Sequence, residues 1–447
     1  MKAERALNRE MDKGKGGRSP WAWIPTLYVA EGLPYFAVNT LSVLMYTNLG
    51  VGLADMAFYT GWLYLPWVVK PFWSPFIDLF LTKRIWTIAM QLLIAVAFAA
   101  LAFLLPTDIY FSGTLACFWL MALCSATHDI AADGYYMLEL SDHDQAKYVG
   151  VRSTFYRIAS VIGQGGLVML AGYMEVACGN VSAAWSIVFA AVSLLFLLLF
   201  LYHSFVMPRP QSDKPTPGVT AATILRDFAM TFVTFFRKKN ICTALAFMLL
   251  YRLPEAMCIK LVQPFMKASR EAGGLGLSTS EIGFVNGTVG VLALLAGGIL
   301  GGLAIAADGL KKWLWPMALS LTLPCIFYCA LAMWQPQNFA VICAAVGVEQ
   351  FGYGFGFTAF MLYLIYFSRG ENRTSHYAFC TAFMALGMMI PGMAAGWIHD
   401  TFMHLNLFGT GGPQGFVNFF WWVMLCCVAT FGVCMAVKID PQFGKKK

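Results

Sequence analysis

The chain has 447 residues, of which 59% are hydrophobic and 12% charged, and its mean hydropathy is +0.66. A soluble domain carries about twice that share of charge, so this chain is solvated mostly by lipid. That excludes a secreted disulfide scaffold, a nucleic-acid binder and a soluble enzyme.

The N-terminus is basic and polar through Arg18, then enters a long apolar run without a small-residue cleavage site. This is the pattern of an uncleaved first crossing. A spanning helix needs about 20 mostly apolar residues. Windows of that size predict twelve crossings, at 21–47, 55–80, 85–105, 112–138, 148–173, 183–205, 240–265, 280–306, 312–333, 338–367, 375–400 and 416–437. The apolar content does not alternate, which argues against a β-barrel. The widest gap opens with Met207-Pro208-Arg209-Pro210 and Pro215-Thr216-Pro217-Gly218, which break any helix. It continues as an amphipathic stretch from Thr223 to Phe236 and ends in Arg237-Lys238-Lys239. The expected class is an all-α integral membrane protein with two pseudo-symmetric six-helix halves. Its expected organisation is a tail at 1–20, halves at 21–205 and 240–438, a linker with an amphipathic helix at 206–239, and a tail at 439–447.

The net charge of +7 reports topology. Segments on the side of the N-terminus hold 24 Lys and Arg, against two, Lys267 and Arg270, on the other side. Such a bias places both termini in the cytoplasm. Of the twelve cysteines, only Cys178 falls in a predicted loop, and none has metal-site spacing, so they read as small packing residues. The halves resemble each other. Helix 2 runs out through Phe76-Ile77-Asp78 to Lys83-Arg84-Ile85-Trp86, and helix 8 through Ala307-Asp308-Gly309 to Lys311-Lys312-Trp313. Glycines in helices 5, 8 and 11 are spaced for close backbone approach, or for ordinary bundle packing.

A charge at mid-bilayer costs at least about 2.5–3.5 kcal/mol, yet nine fall inside crossings: Glu31, Lys70, Asp129, Asp133, Arg157, Arg252, Glu255, Lys260 and Glu349. They must line an aqueous cavity or pair within the bundle. Asp129 and Asp133, four apart on one helical face, are candidate proton carriers with Glu31 and Glu255. Asp133 alternatively pairs with Lys70, and Arg252 with Glu255. Arg157, Arg252, Lys260 and Glu349 are candidate substrate contacts, as are Tyr28, Tyr35, Tyr353 and His128; for His128 and each tyrosine, packing is the competing reading. Lys70, Asp78, Arg84, Asp308 and Lys311 are candidate gate residues.

These residues sit in recognisable strings. The run Ser125-Ala126-Thr127-His128-Asp129-Ile130-Ala131-Ala132-Asp133-Gly134-Tyr135 resembles the helix-4 pattern S-Q-D-I-x-x-D-x-W of the peptide, acetyl-coenzyme A and drug transporter group of the major facilitator superfamily. Lys70-Pro71-Phe72-Trp73-Ser74-Pro75-Phe76-Ile77-Asp78 is similar to K-F-x-W-S-P-x-x-D, Tyr156-Arg157 to the helix-5 Y-R, and Tyr251-Arg252-Leu253-Pro254-Glu255 to Y-K-x-x-D. Ser375-His376-Tyr377-Ala378 with Pro391-Gly392 is similar to the helix-11 pattern. His128 and His376 replace glutamines of the group, and Lys260 and Glu349 have no counterpart. The resemblance implies a proton-driven secondary importer in the bacterial inner membrane. It would act as a monomer on a small-molecule substrate, with no cofactor beyond the proton gradient and no metal. For AmpG-type members the cargo is an anhydromuropeptide from wall turnover; a siderophore or an acetyl-coenzyme A-like ligand is the alternative. A membrane enzyme is disfavoured, since no G-x-S-x-G, H-E-x-x-H or Walker loop occurs.

Overall fold

The computed structural model describes residues 18–140, 142–210, 213, 221–370, 373–405, 407 and 414–443. Among them all regular structure is helical. In chain order, helix 1 spans 24–48, helix 2 53–80, helix 3 Lys83–Leu104, helix 4 Tyr110–Glu139, helix 5 142–178 and helix 6 Val181–Val206. A linker helix, Ala221–Phe236, precedes helix 7 (241–267), helix 8 (279–308), helix 9 (310–334), helix 10 (Phe339–Phe367), helix 11 (Arg373–Phe402) and helix 12 (Gly415–Ala436). Among the described residues, nine of these are long and apolar enough to cross a membrane. Helices 1, 2 and 7, the other three expected crossings, are helical but lie outside that nine.

The irregularities of those three follow from sequence. Pro34 removes a hydrogen bond in helix 1, which relaxes into a π segment at Ala37–Leu41. Helix 2 restarts after Leu63-Tyr64 with a proline in its new first turn, and helix 7 restarts after Arg252 in the same way, with Pro254. The second break puts Arg252 at a helix start and Glu255 in the first turn beyond it. Helices 5 and 8 carry matching π segments, Val161–Leu167 and Phe284–Gly290.

Helices 3, 4 and 6 pack together early in the chain, and helices 8, 9 and 10 do so later. Between these groups run the contacts of helix 5 with helix 8, helix 2 with helix 11, and helix 1 with helix 7. Where helices 5 and 8 meet, the two π segments touch: a Cβ on Gly287 would lie 1.9 Å from the Gly165 Cα. A Cβ on Gly172 would lie 2.4 Å from the Ser280 amide nitrogen, and on helix 11 Gly396 abuts Leu53 of helix 2. All these contacts lie toward the end of the bundle away from the loops 82–84, 309–312 and 368–370. The basic-loop halves of helices 5 and 8 instead pack on helices 1 and 10 of their own groups. The seam is therefore closed at one end, and helices 5 and 8 part toward the other. There the linker helix bridges helices 2 and 11, with Phe228 5.1 Å from Phe72 and 5.5 Å from Phe379 between ring centroids.

A charged cluster and a tyrosine ring between the halves

Three carboxyls and two cations gather on helices 1, 2, 4 and 5. Asp129 pairs with Lys70 at 3.5 Å and accepts a hydrogen bond from Trp67 Nε1 at 3.3 Å. Asp133 pairs with Arg152 at 2.7 Å and accepts from Tyr28 Oη at 3.2 Å. The Arg152 guanidinium also lies 4.7 Å from the Tyr28 ring centroid. Glu31 is buried within electrostatic reach of both pairs, and one of its carboxylate oxygens has no hydrogen-bond partner.

Two expectations change here. The partner of Lys70 is Asp129, not Asp133. The cation that holds Asp133 is Arg152, which is not among the nine charges counted inside crossings; helix 5 begins at Asp142, a turn and a half earlier than its apolar run, and carries Arg152 to the face of helix 4. Arg157 lies on the same helix, partly exposed, with no ion pair to any described residue. The helix-4 acid Asp133 is held by Arg152 instead.

On helix 7, Arg252 donates twice to Glu255, at 2.7 and 2.5 Å, and once to Tyr353 Oη at 3.0 Å. Its guanidinium stacks 4.7 Å from the Phe357 centroid. Between this pair and the first cluster lie four tyrosines from four helices: Tyr35, Tyr64, Tyr156 and Tyr353, within electrostatic reach of one another or of Arg252. Trp67 continues the ring, 5.2 Å from Tyr35. Tyr64 was not among the sequence candidates, and Tyr156 entered only as part of a family string; in sequence neither differs from a packing aromatic. Such a chamber, charged at two walls and aromatic between, suits a polar ligand with flat or ring-shaped faces and anionic and cationic groups.

Of the remaining binding candidates, one touches the tyrosine ring from outside and the others are bonded elsewhere. Lys260 is buried against helix 2, donating to Thr60 Oγ1 at 3.1 Å and lying 5.3 Å from the Tyr64 centroid, with no carboxylate paired to it among the described residues. Glu349 accepts from Tyr328 and Gln350, both at 2.9 Å. His128 belongs to a buried chain, His128–Gln91–His203–Thr26, that ties helices 4, 3, 6 and 1 together, so its role is packing and not contact with a ligand. Of the gate candidates, Asp308 pairs with Lys312 at 2.9 Å and accepts from Trp313. Arg84 donates to the carbonyls of Met207 and Ser204, and its amide to Asp213. Lys311 is exposed, and the Asp78 side chain lies outside the described residues.

The closed end of the seam holds a network that sequence reasoning missed. Glu175 of helix 5 accepts from Asn48 of helix 1 at 2.6 Å, Trp185 of helix 6 at 3.1 Å and Thr279 of helix 8 at 2.6 Å. Lys267, at the end of helix 7, lies 3.7 Å from the same carboxylate and donates to Thr279 at 2.8 Å.

Several proteins similar to this chain are named as transporters. The anhydromuropeptide permease of Escherichia coli K12 is 26% identical over 379 residues, 82% of this chain and 72% of that protein. The putative transporter AmpG 4 of Rickettsia conorii is 22% identical over 80% of this chain and 85% of its own length. Among solved structures, the D-xylose–proton symporter superposes with a TM-score of 0.69 at 12% identity over 95% of this chain and 99% of that one. A mutant of the nucleoside transporter NupG gives the same score at 13% identity over 93% and 99%. The chain thus has the major facilitator fold and is a membrane-embedded transporter of a small molecule, not an enzyme. The BT1 family profile matches residues 29–304, and the chain belongs to the BT1 family.

Proposed function

We propose that the chain is a proton-coupled importer of anhydromuropeptides, working by alternating access as a monomer in a bacterial inner membrane with both termini cytoplasmic. It would need no cofactor beyond the proton gradient. Its two halves, 21–205 and 240–438, rock about the tyrosine ring. The observation that carries this reading is the excess acid of the first cluster. Among the described residues, Glu31, Asp129 and Asp133 have two cations within reach, Lys70 and Arg152, so one carboxyl is left without a counter-charge there, and one Glu31 oxygen has no hydrogen-bond partner. An uncompensated charge within a bilayer is costly, and one proton neutralises the cluster. That proton is exchanged when the chamber changes sides. The cargo is suggested by the permease that the chain resembles along most of its length, and by the chamber, whose aromatic rings can stack on sugar faces while Arg252, held by Glu255 and Tyr353 through Nε and Nη2, keeps Nη1 to donate to a carboxylate. The basic excess on one set of loops supports the orientation.

Uptake into proteoliposomes tests this. With acid outside, wild-type protein should concentrate N-acetylglucosaminyl-anhydro-N-acetylmuramyl peptide, and a protonophore should abolish the accumulation. Glu31→Gln should lose accumulation yet still exchange external for internal cargo. Gradient-driven accumulation by Glu31→Gln at the wild-type rate refutes the coupling, and a siderophore or an acetyl-coenzyme A ester taken up in its place refutes the cargo.

A further inference from the structure

At the basic-loop end of the second half, the ends of helices 7, 10 and 12 enclose a cavity of about 320 Å³. Four cations line it, Lys238, Lys239, Arg369 and Lys438, and no acidic residue does among the described residues. Two of the four are held in place. Lys238 donates to the carbonyls of Phe367 and Arg369 at 2.6 and 2.8 Å, so it also closes the open carbonyl end of helix 10. The Arg369 guanidinium lies 4.4 Å from the Phe443 centroid and 5.8 Å from that of Tyr366. Lys239 and Lys438 form no hydrogen bond or ion pair with any described residue.

Like charges converging on one recess repel, and partial burial adds to the cost: desolvation lowers the Lys238 ammonium from its usual value. An anion in the recess offsets both terms. Neutral donors are present too. Thr243 and Asn240 line the cavity, and Tyr366 Oη accepts the Asp440 amide at 3.3 Å, which leaves its own proton to donate. The surroundings say where the anion comes from. Met435, in the last turn of helix 12 and three residues before Lys438, is 73% exposed on the outside of the bundle. Cys242, beside Thr243, is exposed as well. The recess therefore opens beside apolar surface at the depth where headgroups meet acyl chains, and clusters of cations at such a place bind anionic lipid heads.

We propose that this cavity binds the phosphate headgroup of an anionic phospholipid from the leaflet at the basic-loop end. The bound lipid bridges the linker (Lys238, Lys239), the end of helix 10 (Arg369) and the end of helix 12 (Lys438). It is thus a structural ligand of the second half, distinct from the cargo chamber.

Native mass spectrometry and thermal unfolding of the full chain in neutral detergent test this with cardiolipin, phosphatidylglycerol, phosphatidylcholine and inorganic phosphate as probes. The two anionic lipids should be retained and raise Tm, whereas phosphatidylcholine and inorganic phosphate at equal concentration should not. The double reversal Lys239→Glu with Lys438→Glu should melt like wild type without lipid, and should bind cardiolipin at least about tenfold more weakly, given roughly 1 kcal/mol per basic residue near an anionic surface. If the reversal lowers the lipid-free Tm, the milder pair Lys239→Gln with Lys438→Gln replaces it and should weaken binding in the same direction. Equal stabilisation by phosphatidylcholine, equal stabilisation by inorganic phosphate, or unchanged cardiolipin affinity in the folded variant overturns the proposal.

Discussion

The Glu175 network permits a quantitative test of how the seam is held. Of its four partners, Asn48 and Trp185 belong to the first half and stay with Glu175 in any rigid rocking of the halves. Thr279 and Lys267 belong to the second half and must separate from it when this end opens. Glu175→Ala therefore removes two contacts that exist only in the closed-seam state. A hydrogen bond to a charged group contributes about 1.5–3 kcal/mol. The Lys267 pair adds less, since at 3.7 Å with side chains 29% and 13% exposed it belongs near the surface class of about 0–1 kcal/mol. Retained bonding between Lys267 and Thr279 and water entering the vacated site offset part of this, so about 2 kcal/mol is the expected bias. That is roughly a thirtyfold shift toward the state open at this end. Distances between spin labels on helices 5 and 8 at that end read the shift directly: the population with separated labels should grow in Glu175→Ala. In a cycle with Lys267→Ala, the two effects should be less than additive. An unchanged distance distribution in Glu175→Ala refutes the idea that this network holds the seam.

Gly287→Leu should act in the same sense and more harshly, because its Cβ has no room against Gly165; overpacking of this kind costs about 1–3 kcal/mol or more, and labels on helices 5 and 8 should report an end that no longer closes. Arg152→Lys gives up the guanidinium contact to Asp133 and the stacking on Tyr28 and should lower the stability by about 1–2 kcal/mol, while Arg157→Lys should leave Tm within the scatter of a surface substitution; equal effects at both positions would restore Arg157 as a structural partner. Lys260→Met replaces a buried ammonium that has a hydroxyl and a ring beside it but no carboxylate, so Tm should rise; a fall in Tm shows that the bond to Thr60 outweighs the burial of charge.

The crossings were legible because lipid imposes a simple rule on sequence, about 20 apolar residues per helix, and the proline-rich break in the linker is as plain. The ends of the helices were not. Residues 142–147 are too polar to be read as a crossing, yet they extend helix 5 before the apolar run, and Arg152, near the start of that run, was not counted among the charges inside crossings. Pair identities were half legible: Arg252 and Glu255 are neighbours on one turn, but the choice of Lys70 between Asp129 and Asp133 depends on how far helix 2 slides along helix 4, which no local pattern encodes. The seam network was invisible for the same reason, since Glu175 meets Asn48 and Thr279 from 127 and 104 residues away. Tyr64 and Tyr156 were hidden by abundance in a chain that is 15% aromatic.

The polar contacts are divided unequally between the two ends of the bundle, and the division bears on how it moves. At the closed end, Glu175 and Lys267 reach across the seam, and Gly165 meets Gly287 with no side chain between. At the basic-loop end, two gate candidates have partners within their own half: Asp308 pairs with Lys312 one turn on, and Arg84 donates to carbonyls of helix 6 and the chain after it. Those local bonds are cheap to exchange, because an exposed pair such as Asp308–Lys312 contributes about 0–1 kcal/mol. Closing that end therefore requires little to be broken there, whereas opening the other end requires the Glu175 network and the glycine contact to be given up together. In such an arrangement the bias between the two states is set mainly at the Glu175 end. A ligand in the chamber can reverse it only by binding the second state more tightly than the first by more than that network contributes.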